Sequence, residues 1–221
     1  VTTLLQRTFD VSLFRAVELV NLLGVEVRKK DDYELDFFWD IKPPKMFLER
    51  GITPETLRHF RTGVDEKGTT IIPCFDEQNT LKGVKFRKGR DFWYSENFNR
   101  KNYLYNYRSD YKWAILVEGE TDVYRLFDWG YNVIGLLGSS LTEEQVEMVS
   151  KIPRLYASLD CDTAGIKGMH KMYQQLKNRV ELSFINYPSD DPCNCGRRDY
   201  RKAFQNSVTY GEFKLKTLDL I

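Results

Sequence analysis

Histidine is the scarcest chemistry-bearing residue here, with two in 221, His59 and His170. There are four cysteines, Cys74, Cys161, Cys193 and Cys195, and only the last two are close, as a single C-x-C. A zinc site ordinarily takes four N or S ligands at short recurring spacings, and neither histidine is placed to complete one. The thiols therefore read as reduced and cytosolic. No apolar run approaches the roughly 20 residues that span a bilayer, and no secretory leader is visible. An initiating Met is missing: the chain opens Val-Thr-Thr and reads as a segment of a longer protein. Internal repeats and low-complexity tracts are absent. Net charge is also nearly absent, with 33 basic against 32 acidic residues, so the sum alone does not suggest a nucleic-acid partner.

What is present is ordinary globular composition, 42% hydrophobic and 29% charged, at a length that suits one large domain or two small ones. The charge is unevenly laid out. Basic residues dominate from Lys82 to Lys112, and acidic ones from Glu118 to Glu147. A local basic patch beside a local acidic cluster carries more information than the total.

The segment "SLFRAVELVNLLGVEV" has helical spacing at Leu13, Ala16, Val17, Val20 and Leu23 and stops at Gly24. The charged, aromatic, Pro-bounded "KDDYELDFFWDIKPPK" reads as a loop or linker with short structure. "GITPETLRHFRTG" predicts a short helix with Thr53 as N-cap, Pro54 in the first turn and Gly63 as the stop. From Gly68 the period changes. "TTIIPCFDEQNTLKGVKFRK" gives two strands joined by a turn at Asp76 to Asn79, and "RDFWYSE" adds a third. This middle region is expected to be a small, mostly antiparallel sheet.

From Trp113 strands and helices alternate: "WAILVE", "TDVYRLFDWG", "YNVIGLL", "SLTEEQVEMVSKI", "RLYASLD", "TAGIKGMHKMYQQLKNR", "VELSFINYP". The second helix carries a capping box, Thr142 with Gln145. This β-α-β-α-β-α-β series implies a parallel sheet with right-handed crossovers. The remainder, from Ser189, is polar and then weakly helical.

Ligands of open parallel sheets bind beyond the carboxyl ends of the strands. Three acidic clusters fall there: Glu118 and Asp122 in "VEGETD", Asp160 and Asp162 in "LDCDTAG", and Asp190 and Asp191 in "PSDDP". Singly, Asp122 reads as a helix-dipole charge, Asp162 as an N-cap and Asp190 as a loop residue. Jointly, carboxylates on one edge repel unless cations neutralise them. Oxygen donors without Cys or His favour Mg²⁺ or Mn²⁺ over zinc, which suits phosphoryl or nucleotidyl transfer. An EF-hand loop starting at Asp160 fails, because its fifth and twelfth positions are Ala164 and Lys171. A haloacid-dehalogenase-type D-x-D-x-T also meets Ala164 at its fifth position.

"VEGETD", "LLGSSLTEEQ" and "LDCDTAG" together resemble the TOPRIM domain, a metal-binding module of primases, topoisomerases and some nucleases. The middle piece, with upstream "RGITPETLRHFRTG", "TIIPCFDEQNTLKGVKFRKGR" and "RKNYLYN", resembles the DnaG-type primases of bacteria and phages, over roughly residues 49–192. The fold so implied is α/β (α+β overall): an N-terminal α+β subdomain with a small antiparallel sheet over 1–110, a TOPRIM-like parallel subdomain over 111–190, and a C-terminal extension over 191–221. The resemblance implies that Glu118 is the catalytic glutamate, that Asp160 and Asp162 bind metal, that Asp122 supports them, and that Asp191 is a further acidic position. The family often has another acidic residue after the following Pro, where this chain has Cys193.

The resemblance also implies basic contacts at Arg87 and at Arg100 or Lys101. Independently of it, Lys85, Arg87, Lys88, Arg90, Arg100 and Lys101 are candidates for phosphate contact. Phe92, Trp93, Tyr94, Tyr103 and Tyr105 interleave with them, either as stacking surfaces for bases or as core of the small sheet. The expectation is a primase core that joins ribonucleotides on a single-stranded DNA template with Mg²⁺ or Mn²⁺. A replicative helicase is its expected partner, through regions outside this chain, and its expected location is cytoplasmic, with no membrane partner. A zinc domain and a helicase-binding part, usual in full-length members, are not read here, so the chain is expected to be a catalytic fragment. A TOPRIM nuclease and a non-catalytic nucleic-acid-binding replication module are the alternatives.

Overall fold

Proline sets the first element. Pro44 supplies φ −65° at the N-cap of α1, Lys45–Leu48, which begins at the last residue of the segment read as loop or linker with short structure. The computed structural model describes residues 42–96 and 98–217, all within one compact unit of 36–221. The helix expected near 13–23 lies outside them, as does most of the aromatic stretch before Pro43.

Helix α2, Pro54–His59, begins as its sequence requires. Thr53 Oγ1 accepts from the Thr56 N–H at 3.2 Å, and Pro54 occupies the first turn. It ends earlier than the expected stop at Gly63, because Arg61 takes a left-handed φ of 53°. Gly63 instead opens β1, Gly63–Val64, a two-residue strand too short to show a period.

Strands β2 (Thr70–Phe75), β3 (Leu81–Lys88) and β4 (Asp91–Tyr94) follow, in an antiparallel sheet of order β1-β2-β3-β4. The polar turn between β2 and β3 closes as expected. Asp76 Oδ1 accepts from the Gln78 and Thr80 N–H groups at 3.1 and 2.8 Å, while Asn79 takes φ 63°.

The alternating half forms β5 (Trp113–Val117), α3 (Glu120–Asp128), β6 (Val133–Gly135), α4 (Glu143–Val149), β7 (Arg154–Ala157), α5 (Thr163–Leu176) and β8 (Glu181–Phe184). All four strands are parallel, in the order β6-β5-β7-β8. The sheet is covered on both faces, so the interior strand β5 is apolar at every position and alternates only in which core it joins, while the exposed Arg154 and Glu181 open β7 and β8. Ile115 and Val117 pack with Val123, Tyr124 and Leu126 of α3, whereas Ala114 and Leu116 pack with Val146, Ile166 and Met169. Past β8 come α6 (Arg197–Gln205) and α7 (Tyr210–Thr217).

Two features join the sheets. Tyr105 and Gly135 exchange backbone hydrogen bonds at 2.8 and 3.0 Å, so the chain leaving the antiparallel sheet runs beside β6. A Cβ on Gly135 would stand 2.9 Å from Val123 Cγ2, which is why this position carries no side chain. The buried Tyr124 hydroxyl lies between Thr62 Oγ1 at 2.6 Å and the Tyr105 hydroxyl at 2.8 Å. Asp128, at the end of α3, accepts from the Thr53 N–H and hydroxyl at 2.9 and 2.7 Å and from the Thr56 hydroxyl.

Candidate active site

The carboxyl edge of the parallel sheet collects the acidic residues picked out by the sequence. Glu118 directly follows β5, and Asp122 lies in the first turn of α3. Asp160 lies past β7 and Asp162 caps α5. Asp191 caps a 3-10 turn, Pro192–Asn194, beyond β8. The capping readings and the clustering both hold in part. Asp162 Oδ1 accepts from the Gly165 N–H at 2.7 Å. Asp191 accepts from the Asn194 N–H and side-chain amide at 2.7 and 2.8 Å. Asp122 is only 7% exposed and accepts one bond, from the Cys193 N–H at 3.3 Å. The position that lacks the family's acidic side chain thus supplies a backbone donor.

Glu118 Oε1 and Asp160 Oδ1 are different. Both are buried without any hydrogen-bond partner, a costly state for a carboxylate oxygen. Burial, then the charges of Asp160 and Asp162, push the Glu118 carboxyl up to about 7. Burial, then Asp160, Asp191 and Glu120, push Asp122 up to about 8, against the pull of the Cys193 N–H. Burial, then Asp191 and Asp162, push Asp160 up to about 6. These are mutually repelling acids in a poorly solvated edge.

Among the described residues no three Asp, Glu, His or Cys side chains are drawn into a closed cage for an ion. The donor set nonetheless fits a hard divalent cation: five carboxylates, two of whose oxygens are orphaned, with no imidazole among them, while burial pushes the neighbouring Cys161 and Cys193 thiols up, toward the neutral form.

Backbone contact fixes the Asp160 loop. A Cβ at Gly165 would lie 2.0 Å from the Asp160 carbonyl oxygen, and one at Gly168 2.3 Å from that of Ser139. The glycines of "TAGIKG" let α5 start against both loops. The Asp190 carbonyl oxygen accepts from the Cys161 N–H at 2.8 Å, tying the second and third acidic segments together. All four cysteines are free thiols.

The basic candidates divide. Lys85 points inward: its Nζ is 2.6 Å from Glu120 Oε2, the two side chains being 11% and 2% exposed, and it sits 4.9 Å from the Phe92 ring centroid. The Arg100 guanidinium covers the Tyr94 ring at 4.4 Å. Lys85, Arg100 and the neighbouring Lys101 thus gather near one end of the hairpin. Arg87, half-buried, donates to the Gly89 carbonyl oxygen at 3.3 Å, and Lys88 and Arg90 are exposed toward the hairpin turn. The aromatics divide too. Tyr103 and Tyr105 are core, while Phe92 and Trp93 are 57% and 43% exposed.

Glu120 was not singled out by the sequence, because an acid in a first helical turn reads as a dipole charge. Gln145 also does more than its capping box. Its Nε2 donates to the Tyr103 carbonyl oxygen at 2.8 Å and the Arg100 carbonyl oxygen at 3.3 Å, and the Thr142 hydroxyl donates to the Lys101 carbonyl oxygen at 2.7 Å. The N-terminus of α4 therefore pins the turn that carries Arg100 and Lys101.

The chain is similar to several known proteins. Residues 115–195, which hold all five carboxylates, match the family described as Toprim-like. The chain is 36% identical over 149 residues to a DNA primase of Aquifex aeolicus (strain VF5), covering 64% of this chain and 30% of that protein. It is 24% identical over 238 residues to a DNA primase of Clostridium acetobutylicum, covering 79% of this chain and 39% of that protein. Among solved structures, the zinc-binding and RNA polymerase domains of Aquifex aeolicus primase superpose with a TM-score of 0.69 at 22% identity, over 98% of this chain and 72% of that one.

Residues 115–195 are thus similar to a Toprim-like domain, set in a fold shared with solved primase cores. The chain spans well under half the length of the curated primases it matches. The Toprim-like segment supplies the acidic edge, and the antiparallel sheet before it supplies the hairpin that reaches Glu120. No helix among the described residues is long and apolar enough to cross a membrane.

Proposed function

We propose that this chain is the catalytic core of a DNA primase, synthesising short RNA primers on single-stranded DNA by metal-dependent nucleotidyl transfer. The observation that carries the reading is the pair of buried, unpartnered oxygens, Glu118 Oε1 and Asp160 Oδ1, on an edge where three carboxyls are pushed up together. Similarity to proteins named DNA primase supports it.

In this reading Glu118, Asp160 and Asp162, with Asp122 and Asp191, hold Mg²⁺ or Mn²⁺. When bound, the cation offsets negative charge on the reacting phosphate oxygens. The 3′-hydroxyl of the growing primer attacks the α-phosphorus of a ribonucleoside triphosphate. A P–O bond forms, the bond to the β-phosphate oxygen breaks, and pyrophosphate leaves. Glu118, at the end of the strand that opens the acidic edge, either shares in holding the cation or accepts the hydroxyl proton. Asp162 and Asp191 are held still by N–H donors, so they keep their place as the cleft fills.

Arg87, Arg90, Arg100 and Lys101 hold template or triphosphate oxygens. Lys85 acts through its ion pair with Glu120, setting the hairpin against α3. The division of labour follows the segments: 1–110 is the part for nucleic acid and nucleotide, 111–190 with the adjoining Asp191 holds metal, and 191–221 is a C-terminal extension. A replicative helicase is the partner this reading implies, and the cytoplasm its location.

The test is incubation with Mn²⁺ or Mg²⁺, mixed single-stranded templates and labelled ribonucleotides, with products resolved on a gel. Template-dependent oligoribonucleotides support the proposal. Shortened template without synthesis assigns the same carboxylates to a nuclease instead.

A further inference from the structure

Helix α6 presents a second basic surface, outside the carboxylate edge and the hairpin. Its sequence is RRDYRKAFQ. Tyr200 is fully buried, and Ala203 and Phe204 pack beside it at helical spacing. That leaves Arg197, Arg198, Arg201 and Lys202 facing outward, opposed on the helix only by Asp199.

Two adjoining hollows flank this face. One, of about 530 Å³, is lined by Trp129, Tyr131, Arg197, Arg198 and Arg201. The other, of about 520 Å³, is lined by Arg198, Asp199, Arg201, Lys202 and Gln205. They share Arg198 and Arg201, so they form one trough crossed by two guanidinium groups. Among the described residues, neither arginine nor Lys202 has an ion-pair or side-chain hydrogen-bond partner, and Arg197 only donates to the Trp129 carbonyl oxygen at 3.4 Å.

Unpaired cations in a trough call for a polyanion. The aromatic wall narrows the choice. Trp129 and Tyr131 are half-buried against Tyr200, with ring centroids at 5.7 and 5.8 Å; the Arg125 guanidinium lies 5.4 Å from the Trp129 centroid and Phe204 5.1 Å from that of Tyr131, and both held rings still line the hollow. Fixed aromatic surface beside guanidinium planes suits bases joined by phosphates and gains nothing from an acidic peptide. The position also suits a strand that enters the cleft. Trp129 follows α3, whose first turn holds Asp122, and seven residues at 1.5 Å rise place the trough about 10 Å along that helix from the acidic edge.

We propose that this trough binds single-stranded nucleic acid, with phosphates on Arg198 and Arg201 and bases against Trp129 and Tyr131. The inference rests on the trough alone and stands whether or not the carboxylate edge makes primers.

The experiment measures anisotropy of a labelled mixed-sequence oligonucleotide of about 20 nucleotides, in chelator, across a salt series. Wild type is compared with Arg198→Ala/Arg201→Ala and with Arg154→Ala/Arg179→Ala, which removes two equal charges from another surface. Melting temperatures confirm that both variants are folded. The α6 variant is expected to bind at least about tenfold more weakly, with a salt slope shallower by about 1.4, two phosphates at about 0.7 each. The control is expected to stay within about twofold of wild type. Equal losses in the two variants, or none in either, overturn the proposal. Polyglutamate that binds wild type as well as the oligonucleotide does, and is lost in the α6 variant, assigns the trough to an acidic protein instead. Primer synthesis by Glu118→Gln is a separate readout, so failure of this proposal and of the catalytic reading are distinguishable.

Discussion

Replacing Lys85 by Met tests whether the hairpin and the metal domain are joined by a buried charge pair. Lys85 Nζ and Glu120 Oε2 are 2.6 Å apart, and the Glu120 side chain is only 2% exposed. Removing the lysine strands a carboxylate that water cannot reach, at a cost of about 3–5 kcal/mol. In a unit of this size that lowers Tm by about 6–20 °C, at about 2–4 °C per kcal/mol. Glu120→Leu is expected to cost less, because the Lys85 stem, 11% exposed, lets its ammonium turn toward solvent. The double variant, Lys85→Met with Glu120→Leu, leaves no stranded charge and is expected within about 1–2 kcal/mol of wild type. Thermal melts of the four proteins close the cycle. A Lys85→Met cost under about 1 kcal/mol, or a double variant equal to the sum of the singles, refutes the reasoning. The folded double variant also permits a clean measurement of KM for ribonucleotides without Lys85.

Three further outcomes follow from the same geometry. Glu118, Asp122 and Asp160 have folded-state carboxyls raised to about 7, 8 and 6. The folded protein therefore keeps protons that the unfolded chain has released, and stability from these groups falls as pH rises from about 4 toward 8. In chelator, Asp122→Asn is expected to gain Tm relative to wild type as pH rises through that window; a gain that shrinks with pH contradicts the sign. Gly165→Ala puts a Cβ 2.0 Å from the Asp160 carbonyl oxygen. It is expected to cost about 1–3 kcal/mol or more, whereas Gly138→Ala, facing open space, leaves Tm unchanged. Gln145→Ala removes a helix cap and buried donors to the Arg100 and Tyr103 carbonyl oxygens. About 2–3 kcal/mol is expected, with faster hydrogen exchange at residues 100–103; unchanged exchange there refutes the pinning role.

Local chemistry was legible where a side chain acts on its own backbone. Thr53 with Pro54, Thr142 with Gln145, and Asp76 in its turn all announce themselves by residue type and spacing. The parallel strands were legible because a sheet covered on both faces needs continuous apolar runs. Elements decided elsewhere were not. Helix α1 follows two prolines in a charged context and has a single fully buried side chain, Phe47. The end of α2 is set by the backbone at Arg61, which no residue type there signals. The acidic residues could be placed on one edge from strand order alone. That Glu120 is buried against Lys85, and that Cys193 donates to Asp122, depends on long-range packing that a periodic pattern does not encode.

The account stands or falls on what Glu118 and Asp160 hold. Mn²⁺ binding, followed by electron paramagnetic resonance of the free ion, tests it directly in wild type, Glu118→Gln and Asp160→Asn. The account predicts saturable binding in wild type and at least about tenfold weaker binding in each variant. It also predicts that Asp160→Asn melts no lower than wild type in chelator, since a repelling charge is gone. Equal Mn²⁺ binding in all three proteins would contradict it.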